Sequence, residues 1–174
     1  FDLDADKLND GDLIEYLYSN AKTMGADLDG IGLQSPSFFV WAVRDAFTAP
    51  LQRVQIIKGF VDSNGNPQEQ VFDVACSDGG MPDAETYRCP DNNAKVDIAS
   101  CAFSQDVGAA ELKTFWTDPT FEVTQRAFYY VRALENPTCR WSTWDALRNN
   151  VEPRSDITKT IQERVWSSPI HYIP

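Results

Sequence analysis

Apolar residues recur at helical spacing in only one early segment of the chain. Within residues 12–22, the apolar side chains of four residues would lie on one face of a helix: Leu13, Tyr16, Leu17 and Ala21. This pattern predicts a short helix, which Asp10 or Asp12 can cap and which Gly25 follows. The next residues, 27–32, are punctuated by glycine and are expected to form a loop.

The most hydrophobic stretch of the chain covers residues 37–44, with the sequence SFFVWAVR. It is rich in aromatic and β-branched residues, which favour strands. Apolar side chains fall on both of its faces, a pattern typical of a strand that is covered on each side. We therefore expect residues 37–44 to form a central strand.

Residues 51–61 alternate more regularly, with Val54 and Ile56 on one face of a predicted strand. Asn64-Gly65 follows, and this pair is the strongest short signal of a β-hairpin turn. The returning strand is expected over residues 70–76. This hairpin is the best-supported local prediction.

The remaining sequence alternates between loops and short strands. Further strands are predicted at residues 111–116, 125–135 and 161–166, with one or two helical turns and a Ser or Thr cap at 142–148. Residues 77–108 form a long irregular insertion that needs a covalent staple to stay compact. The pattern as a whole predicts a mainly β fold: one β-sandwich domain over residues 1–174, with one or two short helices and a disulfide-stapled loop.

Four cysteines stand at Cys76, Cys89, Cys101 and Cys139. No Cys-x-x-Cys pair occurs and the chain has one histidine, so a structural zinc site is disfavoured. An even number of cysteines in loop-like sequence favours two disulfides and an oxidising compartment, whereas four reduced cysteines in a cytosolic domain are the alternative. Of the three pairings, we expect Cys89–Cys101 and Cys76–Cys139.

The charge balance bears on partners. Fifteen basic and 26 acidic residues give a formal net charge of −11. Such an excess repels phosphate backbones and anionic membranes, and no Lys and Arg cluster offsets it, so nucleic acid is not an expected partner. No apolar stretch approaches the roughly 20 residues that span a bilayer. The chain opens at Phe1 without the features of a signal peptide, as expected of a processed protein or a fragment.

Two acidic segments contain oxygen ligands of the kind that calcium prefers. Asp62, Asn64 and Asn66 have the spacing of a calcium loop, but Pro67 stands where that loop needs glycine, so a plain hairpin turn is favoured. The cysteine-containing insertion holds four aspartates that could coordinate Ca²⁺: Asp78, Asp83, Asp91 and Asp97. A solvated acidic loop is the alternative.

No complete catalytic constellation is visible in the sequence. His171 is the single histidine, three residues from the end, and no Gly-x-Ser-x-Gly motif offers a serine nucleophile. We expect His171 to be a surface or packed terminal residue. Base catalysis would then fall to carboxylates, which are too numerous to single out.

Arginine and tryptophan recur together in the C-terminal half. Four arginines are expected to form bidentate carboxylate pairs and to stack on tryptophan: Arg126, Arg132, Arg140 and Arg164. Four of the five tryptophans lie in predicted strands or capped turns, which favours core packing. The functional alternative is a groove for sugar or peptide that is lined by four residues: Arg140, Trp141, Trp144 and Trp166.

Several strings resemble a bacterial family of large exported proteins that share a domain of unknown function. These are LQRVQIIKGF at residues 51–60, DVACSDG at 73–79, FYYVR at 128–132, ENPTCRWST at 135–143 and IQERVWSSPI at 161–170. The likeness runs from about Met24 to the end of the chain. Members of that family are several-fold longer, and their N-terminal part looks like a PHP-type (amidohydrolase-like) metal-dependent hydrolase.

The resemblance implies that these residues are the C-terminal region of such a protein, periplasmic or extracellular, without the hydrolase's Gly-Asp-Leu-His-x-His type metal motif. The implied role is a non-catalytic accessory domain that packs on the N-terminal domain. Strands upstream of Phe1 would then be absent, which leaves a sheet edge unpaired. A sugar- or peptide-binding module is the second hypothesis, and a stand-alone enzyme using carboxylates ranks last. A large apolar face favours the first hypothesis, and an exposed tryptophan pair favours the second.

Overall fold

The computed structural model describes residues 5–29 and 34–174. A 3₁₀ helix spans Ala5–Asn9, and the α-helices are α1 (Leu13–Asn20) and α2 (Trp141–Arg148). The strands are β1 (Asp27–Asp29), β2 (Ser37–Val43), β3 (Leu51–Val61), β4 (Pro67–Cys76), β5 (Glu111–Thr117), β6 (Ala127–Glu135), β7 (Thr138–Cys139), β8 (Thr160–Ile161), β9 (Arg164–Trp166) and β10 (Ile170–Ile173). The predicted mainly β class is confirmed.

Six strands form the main sheet, in the order β1-β10-β6-β3-β4, and β9 also pairs with β6. The β1–β10 pairing is parallel, whereas the other pairings of this sheet are antiparallel. Within the described residues, β2 and β5 form a smaller antiparallel sheet, and β7 pairs with β8. The main sheet is therefore much wider than the sheet that packs on it.

The core lies between these two sheets. Strand β2 contributes Phe38 and Val40, and β5 contributes Leu112, while the main sheet faces them with alternate residues of its strands: Val54, Ile56, Phe72, Val74, Tyr129, Ala133 and Tyr172. Side chains alternate across a strand, so each strand buries one face of its pleat. This sandwich agrees with the predicted architecture.

The Asn64-Gly65 hairpin is confirmed. Strands β3 and β4 pair from Arg53 opposite Cys76 to Val61 opposite Pro67, with a bulge after Val54. The Asp62 carboxylate accepts the backbone N–H groups of Asn64 and Asn66 at 2.9 Å each. Asp62 thus organises the turn itself, in the manner of an Asx turn.

The prediction of a central β2 is wrong. The strand pairs with β5 on one side only, and Trp41 and Val43 are exposed. The apolar run predicted a strand inside a sheet and covered on both faces. Among the described residues, however, no second strand pairs with β2. Sequence pattern shows that a surface is suited to burial and does not identify what covers it.

Several boundaries also differ from expectation. Residues 27–29 and 170–173 form the parallel pair β1–β10, although neither segment was predicted as a strand. The strand predicted over 161–166 is broken in two between β8 and β9. Helix α2 begins at Trp141 after Arg140, without a side-chain cap, and the Thr143 hydroxyl instead donates to the Lys159 carbonyl.

Both disulfides exist, but the expected pairing is wrong. The bonds join Cys76 to Cys89 and Cys101 to Cys139. Behind β4 the chain runs back along its edge, where the Asp73 N–H donates to the Tyr87 carbonyl and the Cys89 N–H donates to the Asp73 carboxylate. These contacts bring Cys89 beside the end of β4, and Cys101 is left to bond to β7.

A charged pair is buried near the core. Lys58 and Asp118 have side chains 1% and 0% exposed, and Lys58 Nζ lies 2.7 Å from Asp118 Oδ2. Lys58 also donates to the Thr120 carbonyl, and the Tyr129 hydroxyl donates to Asp118 Oδ2 at 2.7 Å. Burial, followed by this hydrogen bond, raises the pKa of Tyr129. The carboxylate is thus satisfied without solvent.

Gly59 provides room for an aromatic ring on the outer face of the main sheet. Phe128 lies directly opposite on β6, and a Cβ at residue 59 would lie 2.2 Å from Phe128 Cζ. Phe128 stacks in turn near Tyr130, with ring centroids 6.3 Å apart. The Phe128 ring can therefore occupy its position only because residue 59 has no side chain.

Gly59→Ala is expected to lower the free energy of unfolding by about 1–3 kcal/mol, because the ring must leave its rotamer. Urea denaturation measures the change. Gly11→Ala is the control, since a Cβ at Gly11 meets nothing within 4 Å. In a Phe128→Ala background, Gly59→Ala should have no further cost, and an equal cost there would show that the ring is not the cause.

Candidate functional site

The outer edge of β2 carries a row of unpaired backbone groups. Arg44 donates its N–H to the Ala110 carbonyl, and Asp118 donates to Pro36, so the hydrogen-bonded pairs of the β2–β5 ladder fall at even-numbered β2 positions. The backbone groups of Phe39, Trp41 and Val43 consequently point away from β5. No strand among the described residues pairs with them.

A cleft of about 570 Å³ lies beside this edge, between β2 and β9. Its floor includes Val131 and Ala133 of β6. Five exposed apolar residues line it: Met24, Trp41, Val43, Val165 and Trp166. We call this the β2–β9 cleft. It exists because a two-stranded sheet covers only part of a six-stranded one.

The exposed apolar residues of the β2–β9 cleft form one contiguous patch rather than being scattered over the surface. Single exposed apolar side chains are common in folded proteins, but a contiguous patch marks an interaction surface. Trp41 extends the patch onto the outer face of the small sheet, where its indole N–H donates to Glu111 at 3.0 Å. Phe39 and Phe115 continue it, with ring centroids 5.1 Å apart.

The four residues predicted to line a binding groove are not brought together. Trp166 lines the β2–β9 cleft, and Arg140 lines a second cleft. Trp141 and Trp144 lie on α2 and line neither cleft, and Arg148 lies 5.2 Å from the Trp144 ring. Trp41 was missed, although its place in the most hydrophobic run was a usable signal.

The expectation of core packing is wrong for most of the tryptophans. Four of the five are exposed: Trp41, Trp141, Trp144 and Trp166. Trp116 alone packs against the core, where its ring lies 5.0 Å from that of Phe72. Local strand or helix propensity predicted the secondary structure of these residues but did not determine which side faces solvent.

The expected arginine–carboxylate pairs are also wrong. Within the described residues, Arg126, Arg132, Arg140 and Arg164 form no ion pair. Arg132 instead donates to the Gln55 side chain at 2.7 Å, and Arg140 donates to the Thr158 carbonyl at 3.1 Å. Neutral acceptors leave the charge of these guanidinium groups uncompensated.

The aspartates of the 77–108 insertion serve separate turns. Asp78 accepts the Gly108 N–H and the Ser77 hydroxyl, and these bonds, the hydroxyl's first, hold its pKa below the ordinary value. The Thr86 N–H does the same for the pKa of Asp83. Asp91 accepts the Asn93 N–H, and Asp97 accepts the Ser100 hydroxyl. In residues 5–29 and 34–174, no group of three or more His, Cys, Asp or Glu side chains is arranged to hold a metal ion.

The histidine and the cysteines considered for catalysis were located in the structure. His171 is exposed on β10, and its ring lies 6.1 Å from that of Phe128. All four cysteines are in disulfides.

Neither α-helix of the described chain has the length and apolar character needed to cross a membrane.

The fold and site define the protein as a disulfide-bonded β-sandwich whose strand β2 has an open edge among the described residues. The chain belongs to the family described as "Protein of unknown function (DUF3604)", which matches residues 1–174. The resemblance to a family of unknown function is therefore confirmed over the full chain. Comparison with curated proteins gave no match, and comparison with solved structures gave none either.

Proposed function

We propose that this chain is a non-catalytic accessory domain of a larger exported protein, and that its β2–β9 cleft docks on the accompanying domain of the same polypeptide. The resemblance implies that the partner is a metal-dependent hydrolase domain. The observation that carries the proposal is the free backbone edge of β2 above an apolar cleft.

The occupant that fits this edge is an extended segment of the partner domain. Its backbone would pair with the free groups of Phe39, Trp41 and Val43, and its inward side chains would fill the cleft. Exposed edge strands are ordinarily protected by charges, proline or bulges. Residues 37–43 contain no charged residue and no proline. An edge without such protection is expected where a neighbouring strand covers it.

The chemistry of the described residues supports a role without catalysis of its own. Disulfide formation leaves no thiol nucleophile, and the one histidine is exposed and lines neither cleft. Among the described residues, the buried carboxylates are Asp73 and Asp118, and basic side chains hold both. An exported location is compatible with the two disulfides.

Glutamate substitutions in the cleft test the docking. Val43 and Val165 are 66% and 64% exposed in the cleft, while Val151 is 58% exposed elsewhere and serves as a matched control. Because all three are exposed, none of the substitutions should change the melting temperature of the isolated domain. In the longer protein, Val43→Glu and Val165→Glu should separate the two domains, since docking would bury the new charge.

A protease site in the linker between the domains provides the readout. After cleavage, the wild-type and Val151→Glu domains should co-elute, and the Val43→Glu and Val165→Glu domains should elute apart. Co-elution of all variants would place the interface elsewhere and contradict the proposal. A dimer of the isolated domain that Val43→Glu dissociates would assign the cleft to a second copy.

A sugar-binding module is the second candidate, because Trp41 and Trp166 both line the β2–β9 cleft. Sugars stack on exposed aromatic rings, so this reading predicts saturable binding of a soluble polysaccharide that Trp166→Ala abolishes. Affinity electrophoresis measures it. Binding by the isolated domain but not by the longer protein would show that the cleft is covered there, in agreement with the docking proposal.

A further inference from the structure

A second cleft, of about 550 Å³, lies between β3, the segment before α2, and residues 158–164. Three arginines line it: Arg53 of β3, Arg140 just before α2, and Arg164 of β9. Its other polar walls are mostly neutral and include Gln52, Thr158 and Gln162, and Asp91 is its one carboxylate. We call it the arginine cleft. Its volume falls within the range of small-ligand sites, about 300–1,000 Å³.

The charge of the cleft contrasts with that of the whole chain. The chain has a formal net charge of −11, yet the cleft lining holds three guanidinium groups against one carboxylate. Asp91 is itself engaged by the Asn93 N–H at 3.0 Å. Arg53 is paired at 3.7 Å with Asp73, whereas Arg140 and Arg164 form no ion pair among the described residues. A bound anion would offset the repulsion between these like charges.

Neutral contacts fix two of these arginines in place. Arg140 Nε donates to the Thr158 carbonyl at 3.1 Å, and Arg164 Nε donates to the Gln162 carbonyl at 3.3 Å. Both bonds use backbone acceptors, which orient the side chains without neutralising them. Arg140 Nη2 also donates to the Thr158 hydroxyl at 3.3 Å. Arg140 Nη1 and the terminal nitrogens of Arg164 are left to bind an acceptor within the cleft.

One guanidinium nitrogen of Arg53 is unsatisfied within the described residues. Arg53 Nε is buried without a hydrogen-bond partner among the described residues, and Arg53 Nη1 lies 3.7 Å from Asp73 Oδ2, beyond hydrogen-bond distance. Arg88 and Gln55 bind the other oxygen of the Asp73 carboxylate. Arg53 therefore has donor capacity that Asp73 does not use, and an anion in the cleft would supply acceptors.

The disulfides hold the cleft walls. Cys89 lines the cleft and is bonded to Cys76 at the end of β4. Cys139, which directly precedes Arg140, is bonded to Cys101. Covalent anchoring of these irregular segments fixes the arginine positions before a ligand arrives, which lowers the entropy cost of binding.

We propose that the arginine cleft binds a small ligand through an oxyanion group, namely a carboxylate, a sulfate or a phosphate. Guanidinium groups bind all three by charge-assisted hydrogen bonds, often in a bidentate manner. The arginine cleft shares Arg164 with the β2–β9 cleft, but Arg53 and Arg140 line the arginine cleft alone. Anion binding by the isolated chain therefore does not require the docking proposal.

Titration calorimetry of the full chain with sodium sulfate, inorganic phosphate and sodium acetate, each in turn, tests the site and ranks the three anions. One-to-one binding of at least one anion is expected, and it should weaken as ionic strength rises. Arg140→Gln and Arg164→Gln should each weaken it about tenfold or more, the loss expected for one charge-assisted hydrogen bond. Arg164→Lys, which keeps the charge, should weaken it less.

Arg126→Gln is the matched control, because Arg126 is exposed, unpaired in the described structure and outside the cleft. It removes the same charge and should leave the affinity unchanged. Arg164 is also exposed, so its replacement should not disturb folding, which circular dichroism checks. The proposal is overturned if no anion binds saturably, or if Arg126→Gln weakens binding as much as the two cleft substitutions.

Discussion

Asp118→Asn is expected to lower the free energy of unfolding by about 3–5 kcal/mol, because it leaves the Lys58 ammonium buried without its counter-charge. Lys58 and Asp118 lie 2.7 Å apart and are almost fully excluded from solvent. Three further groups hold the same carboxylate: the Tyr129 hydroxyl, the Thr120 N–H and the Thr120 hydroxyl. Urea denaturation followed by tryptophan fluorescence measures the loss.

The double variant Lys58→Met, Asp118→Asn distinguishes a lost ion pair from lost packing. With both charges removed, no uncompensated charge is buried, so the double variant should be more stable than Asp118→Asn alone. Arg154→Met is the control, because the Arg154–Asp156 pair is exposed on the surface. It should leave the unfolding midpoint unchanged. Equal losses for the double variant and Asp118→Asn would contradict the ion-pair explanation.

Replacing both cysteines of one disulfide by serine is expected to cost about 3 kcal/mol for Cys76–Cys89 and about 4 kcal/mol for Cys101–Cys139. The second bond closes the longer loop, with a sequence separation of 38 rather than 13. Crosslinks that close longer loops remove more conformational freedom from the unfolded chain. Urea denaturation of the two double variants measures both values.

Peptide mapping tests which cysteines are bonded to each other. Proteolysis without reductant, followed by mass spectrometry, should recover one peptide pair that links Cys76 to Cys89 and another that links Cys101 to Cys139. A fragment that links Cys89 to Cys101 would contradict the structure. Intact thiols at all four positions would contradict both the structure and an oxidising compartment.

Local sequence signals identified the elements that local forces determine. The hairpin at Asn64-Gly65 follows from turn geometry, and strands β3 to β6 follow from period-two alternation, so their existence was predictable. The parallel pair β1–β10 was not, because it joins segments at opposite ends of the chain. Nothing near Leu28 in the sequence indicates that Tyr172 lies beside it.

The clefts were beyond sequence analysis for the same reason. The arginine cleft unites Arg53 with Arg140 and Arg164 across more than half of the chain, and only the sheet topology brings them together. The sequence predicted carboxylate partners for Arg140 and Arg164, since acidic residues are abundant nearby in sequence, and it did not single out Arg53. Proximity in sequence did not produce contact in space.

The error on β2 is informative. Its sequence is apolar on both faces and predicts a central strand that is covered on each side. In the described structure, β2 has a strand neighbour on one edge only, and Trp41 and Val43 are exposed. Natural sequences are locally consistent with their folds, and departures concentrate at functional sites. The mismatch between the pattern of residues 37–43 and their exposure is what a docking strand requires.

Hydrogen–deuterium exchange at β2 tests this account most directly. The amides of Phe39, Trp41 and Val43 have no strand partner in the described structure and should exchange rapidly in the isolated domain. In the longer protein, the account predicts strong protection of these three amides. Equally rapid exchange in both proteins would show that the edge stays open and would contradict docking through β2.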